Sequence, residues 1–138
     1  RSAAHSLAKL IDPFGGASYR VVSVTHPDYL ERMRTLLGDT RADAMLLRGT
    51  EGEPFANPLR TPLIEDFAGG VRTVCSQGEA GSVGDAPPLP AAIDAPTTAA
   101  WIARVLAGEV PVPAPIVAQL ACCMIGARRP VPVALPEY

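Results

Sequence analysis

The sequence predicts an α/β fold, a mostly parallel sheet flanked by helices, and three observations predict it. Tyr19-Arg20-Val21-Val22-Ser23-Val24 is β-branched and apolar enough for a buried strand. After a turn at Thr25-His26, Pro27 opens a run in which Tyr29, Leu30, Met33, Leu36 and Leu37 recur at helical spacing until Gly38. Ala42 to Leu47 is a second short apolar run, read as a parallel strand. Strand, helix and strand in that order make a βαβ unit, whose crossover is expected to be right-handed.

The other elements follow from punctuation. Ser2 to Ile11 has the pattern of a helix with Leu7, Leu10 and Ile11 on one side, stopped by Asp12-Pro13 and the turn at Gly15-Gly16. Pro62 to Phe67 and Val71 to Cys75 are expected as two more short strands, joined through Gly69-Gly70 as a hairpin. Residues 76–95 are rich in glycine and proline and predict an irregular surface connection. Asp94 then caps a helix carrying Ala99, Ile102, Val105 and Leu106 and closing at Gly108. Ile116 to Ile125 is apolar almost all round, which predicts a helix packed into the core or a partner. The proline-rich tail to Tyr138 is expected to drape over the surface.

Composition narrows the function classes. The 138 residues are 48% hydrophobic and 19% charged, as in an ordinary globular domain rather than a disordered chain. No apolar run approaches the roughly 20 residues that cross a bilayer, and no signal-peptide core follows Arg1, so no membrane partner is expected and the cytoplasm is the expected compartment. The chain starts without Met and already in a helical pattern, and is expected to be a fragment. Three cysteines cannot all pair, and none has metal-knuckle spacing, so reduced thiols packed as small apolar groups are expected. Cys122 and Cys123 face different directions on a helix, so at most one lies fully inside. The net charge of −2 argues against binding nucleic acid through bulk electrostatics, which leaves only a local basic face. Of the 12 basic residues only Lys9 is a lysine. Arginine forks onto oxyanions, although genome base composition produces the same bias.

The densest polar loop, Arg48-Gly49-Thr50-Glu51-Gly52-Glu53-Pro54, directly follows a predicted strand. In open α/β sheets, loops at the carboxyl ends of strands bind ligands. Glu51 and Glu53 beside glycines have the spacing to hold a hard cation, although a solvated acidic turn with Arg48 as their ion-pair partner is the more common outcome of such a loop. Arg1 stands at a helix start, where anions are drawn to free N–H groups. His26 has no carboxylate or nucleophile paired to it by sequence, and its expected role is capping or surface. His5 lies within a helix and is expected to pack.

Four segments resemble one family in register. Arg1 to Pro13 is similar to an Arg-Thr pair leading into a helix that ends Gly-Pro-Leu-x-Asn-Pro. Leu46 to Gly52 looks like the strand and loop Val-Val-His-Gly-x-Asp-Gly-Leu-Asp-Glu. Val105-Leu106-Ala107-Gly108 and Gln119-Leu120-Ala121 are similar to closing Val-Leu-x-Gly and Asn-Ala-Ala segments. This pattern belongs to the anthranilate phosphoribosyltransferase and nucleoside phosphorylase class of glycosyltransferases, glycosyltransferase family 3. The resemblance implies the C-terminal part of that class's large α/β domain. A helical dimerisation domain and a glycine-rich pyrophosphate loop would lie upstream.

The departures shape the functional expectation. Where the family has an Asp-Glu pair holding magnesium for phosphoribosyl pyrophosphate, this chain has Pro54 and Phe55. Asp12 replaces the asparagine before Pro13, placing a negative charge near the presumed acceptor site. The Arg48 to Pro54 loop together with Thr25-His26-Pro27 resembles a paralogous branch whose members are homodimers described as nucleic-acid binders. The first expectation is therefore a homodimer, formed through the missing helical domain, that binds DNA or RNA with lost or altered transferase activity and no cofactor. Its candidate phosphate contacts are Arg1, Lys9, Arg20, Arg48, Arg60, Arg128 and Arg129. The alternative is an active phosphoribosyltransferase, with magnesium held by Glu51 and Glu53 and the acceptor bound at Arg1 and Pro13. A third reading is a purely structural fragment whose last helix docks on the missing half.

Overall fold

A computed structural model describes residues 8, 10–14, 17–49, 56–78 and 89–128. The order is β1 (Arg20–Val24), α1 (Pro27–Asp39), β2 (Ala44–Arg48), β3 (Ile64–Ala68), β4 (Val71–Ser76), α2 (Ala95–Leu106) and α3 (Ala114–Gly126). Each lies within a few residues of the run that predicts it. The helix expected over 2–11 and the tail from 129 fall largely or wholly outside the described residues.

The sheet is mixed, and this corrects the expected mostly parallel sheet. Strand order is β1-β2-β3-β4. β1 and β2 are parallel, with Val22 opposite Leu46, whereas β2–β3 and β3–β4 are antiparallel. The reason lies at the end of β2. Leu47 pairs with Ile64, so the chain re-enters the sheet at the end it left, and a return from that end needs no crossover. The hairpin at Gly69-Gly70 is as expected. Gly70 has φ of +84°, and a Cβ there would lie 2.6 Å from the Gly38 carbonyl oxygen, so the turn packs directly on the end of α1.

Alternation along β2 divides the core between two sheet faces. Ala44 and Leu46 join Val22, Val24, Leu37, Ala42 and Phe67 on the face that α1 covers, with Leu30 and Met33 packed against them. Met45 and Leu47 join Ile64 and Cys122 on the face that α3 covers. β2 is buried on both sides from Ala44 to Leu47, hence its unbroken apolar run. From α1, Leu30, Met33 and Leu37 turn inward at i, i+3 and i+7, while Tyr29 and Leu36 stay exposed. Truncating a core side chain such as Leu37 to Ala costs about 2–5 kcal/mol in comparable sites.

α3 docks through Pro115, Gln119 and Cys122. Cys122 is buried and Cys123 only partly so, as adjacent helical positions require. Burial, then contact with Cys75, pushes the Cys122 thiol up to about 12, and burial also raises Cys123. α2 differs: Asp94 caps it, accepting from the Thr97 amide at 2.8 Å, but none of its residues is buried. No helix among the described residues is long and apolar enough to cross a membrane.

Candidate functional site

Because β1, β2 and β4 run in one direction and β3 alone returns against them, one end of the sheet gathers four chain ends. These are the exits of β1 and β2 after Val24 and Arg48, the entry to β3 after Leu63, and the exit of β4 into Gln77-Gly78. Gly78 has φ of +74°, and a Cβ there would lie 2.7 Å from the Leu63 amide nitrogen, so these two walls meet closely.

Between the ends lies a groove of about 430 Å³, lined by Leu30, Arg48, Arg60, Thr61, Pro62, Leu63, Gln77 and Gly78. Arg48 ends β2 with its side chain exposed, and its Nε donates to the Thr25 carbonyl at 3.3 Å. That contact holds the guanidinium at the exit of β1. Arg60 follows a turn in which the Leu59 amide donates to Asn57 Oδ1 at 2.9 Å. Among the described residues neither Arg48 nor Arg60 has an ion-pair partner, and no carboxylate lines the groove. Guanidinium, hydroxyl and amide groups on a concave wall suit an anion with several acceptor oxygens.

The other predicted phosphate contacts lie elsewhere. Arg20 opens β1 at the opposite end of the sheet, partly buried, and donates from a terminal nitrogen to the Leu10 carbonyl at 3.2 Å. Arg128 follows α3 and lies 3.8 Å from Asp43 Oδ1, beside the start of β2. The structure thus brings Arg48 and Arg60 together and separates Arg20 and Arg128 from them. Arg1, Lys9 and Arg129 lie outside the described residues.

So do Glu51 and Glu53, the magnesium ligands of the alternative reading. No group of three or more metal-ligating side chains is placed to hold an ion among the described residues. Pro13, the presumed acceptor contact, is exposed. Its neighbour Asp12 accepts from the Ser18 hydroxyl and the Phe14 amide, and these bonds, the first foremost, hold its carboxyl below the usual range. Asp12 is therefore a charged local turn-former. His26 is the N-cap of α1, its Nδ1 accepting from the Asp28 amide at 3.3 Å, as its position before Pro27 led one to expect.

No family model matches the chain. The chain is similar to the uncharacterized protein YbiB of Escherichia coli (strain K12), with 44% identity over 128 residues. The match takes in 91% of this chain and 39% of YbiB, so the chain spans about two fifths of the length of the curated relative it matches.

Sequence reasoning missed two features. One is the part played by Leu30, Gln77 and Gly78 in the groove, which depends on β4 folding back beside β3. The other is Glu65, 1% exposed in β3, which accepts from Arg34 Nε at 2.8 Å and from Arg72 Nε at 2.6 Å. An acidic residue inside the run Ile64-Glu65-Asp66-Phe67 was the available signal, but partners on α1 and β4 are visible only in three dimensions.

Proposed function

We propose that this chain is part of a YbiB-like, nucleic-acid-binding paralogue of the anthranilate phosphoribosyltransferases, with transferase activity lost or altered, and that Arg48 and Arg60 contact backbone phosphate. The full-length protein in this reading is a homodimer, joined through a helical domain outside this chain. The branch that the Arg48 to Pro54 loop and Thr25-His26-Pro27 resemble is the one typified by YbiB, and the similarity to YbiB supports the choice of branch.

One observation carries the reading: two guanidiniums without a carboxylate partner among the described residues share a groove at the carboxyl ends of parallel strands. Exposed guanidiniums gathered in a concavity attract anions, and phosphate oxygens meet arginine bidentately. Pro54 and Phe55, in place of two acids, weaken the competing magnesium-pyrophosphate site, because the charge of a leaving pyrophosphate needs metal to offset it.

The test uses the full-length protein. Fluorescence anisotropy against duplex DNA should show binding that falls by at least about tenfold in Arg48→Ala/Arg60→Ala, since a charge-assisted hydrogen bond contributes about 1.5 kcal/mol or more. Unchanged affinity in that variant overturns the assignment of the groove. Magnesium-dependent turnover of phosphoribosyl pyrophosphate with an aromatic amine, abolished by Glu51→Ala, would establish the transferase reading instead.

A further inference from the structure

Beside the groove, the N-cap and first two turns of α1 form a second, smaller hollow of about 310 Å³, lined by His26, Asp28, Tyr29 and Arg32. His26, Tyr29 and Arg32 are spaced by three residues and so share one helix face. The His26 ring stands edge-on to Tyr29, centroids 6.1 Å apart at 79°. The Arg32 guanidinium carbon lies 5.8 Å from the Tyr29 ring centroid. None of the three serves the core: Leu30, Met33 and Leu37 do that, and the Tyr29 residue is 58% exposed.

The hollow and the groove are continuous along the chain. Arg48 is bonded to the carbonyl of Thr25, the residue before His26, and Leu30 of the groove wall follows Tyr29. A cationic track with planar π groups directly beside it is the arrangement by which proteins hold unpaired nucleic acid: phosphates follow the cations and bases stack on the aromatic faces. A duplex has its base faces occupied by stacking and offers an exposed tyrosine nothing comparable.

We infer that Tyr29, flanked by His26 and Arg32, is a stacking platform for an unpaired nucleobase, and that the site takes single-stranded nucleic acid in preference to duplex. Asp28, lining the same hollow, supplies an acceptor for the amino or imino N–H of a base edge. The inference rests on the nucleic-acid reading above and adds to it the structural class of the ligand.

The full-length protein is titrated with a labelled oligothymidylate strand and, separately, with a mixed-sequence duplex of the same length. The single-stranded affinity of Tyr29→Ala should drop by about five- to hundredfold, the range found when a base-stacking aromatic is removed, while its duplex affinity changes less than about twofold. Tyr29→Phe keeps the ring and should bind like the parent. A strand carrying 2-aminopurine reads stacking directly: its emission is quenched by the parent and by Tyr29→Phe, and stays bright with Tyr29→Ala. Equal losses for strand and duplex, or no loss for either, overturn the platform while leaving phosphate binding at Arg48 and Arg60 in place. No binding of either nucleic acid by the parent protein overturns both readings together.

Discussion

At Gly126, the last residue of α3, an added Cβ would collide with the Tyr19 hydroxyl oxygen and its Cζ. Tyr19 is not free to step aside, because its hydroxyl donates to Asp66 Oδ1 at 2.6 Å in a half-buried setting. Burial and the Asp66 carboxylate together keep that phenol protonated far above its ordinary range. Gly→Ala in a helix interior gains up to about 1 kcal/mol, but less at a terminal position. Overpacking costs about 1–3 kcal/mol, so the clash wins. Gly126→Ala is expected to lower stability by about 1–2 kcal/mol, seen as an earlier urea midpoint of the full-length protein. Combined with Tyr19→Leu, which removes the atoms it strikes, the two losses should fall short of their sum. Strict additivity would show that Tyr19 is not what the methyl meets. Nothing in the sequence marks this contact, since the glycine reads as an ordinary helix end and its partner lies on the far side of the chain.

Elements were the most legible level, and the exceptions have physical causes. Among the described residues, apolar runs, helical spacing and the glycines, prolines and caps between them located four strands and three helices. Pairing direction was less legible, since an apolar run buried on both faces looks the same beside a parallel or an antiparallel neighbour. Only the Gly69-Gly70 turn announced its own geometry. Glu65 breaks the apolar run of β3 and ties α1 to the sheet through Arg34, and β4 to it through Arg72. The Glu65 bond, foremost, holds the Arg34 guanidinium charged. Removing one member of a buried ion network leaves the others uncompensated, at about 3–5 kcal/mol when fully buried. The Arg72 side chain is 46% exposed and can rehydrate, which discounts the cost. Glu65→Ala is therefore expected to destabilise the protein by about 2–4 kcal/mol, and Glu65→Gln, which keeps the volume and one acceptor, by less. A urea titration in which Glu65→Ala unfolds at the parental midpoint would show that the network contributes no net stability.

Over the whole molecule, the charge balance sets how nucleic acid would be held under the proposed function. With 12 basic against 14 acidic residues, the chain as a whole repels a polyanion weakly, so attraction must be local. The sequence supplied the candidate arginines but not their grouping, because β1 and β2 carry Arg20 and Arg48 to opposite ends of the same sheet. Arg20 and Arg128 are also engaged, with the Leu10 carbonyl and Asp43. The proposed function thus assigns two phosphate contacts to one groove among the described residues, and a count of contacts is measurable. Each phosphate neutralised on duplex DNA releases counterions and steepens the plot of log affinity against log salt by about 0.9. Replacing Arg48 and Arg60 together should flatten that slope by roughly 2, while Arg128→Ala should leave it nearly unchanged. The measurement is a sodium chloride series of anisotropy titrations on the full-length protein and its variants. If the slope of the double variant equals the parent's, the phosphates do not lie in the groove. If Arg128→Ala flattens it as much, the contact surface is the opposite end of the sheet, where Asp43 now holds that arginine.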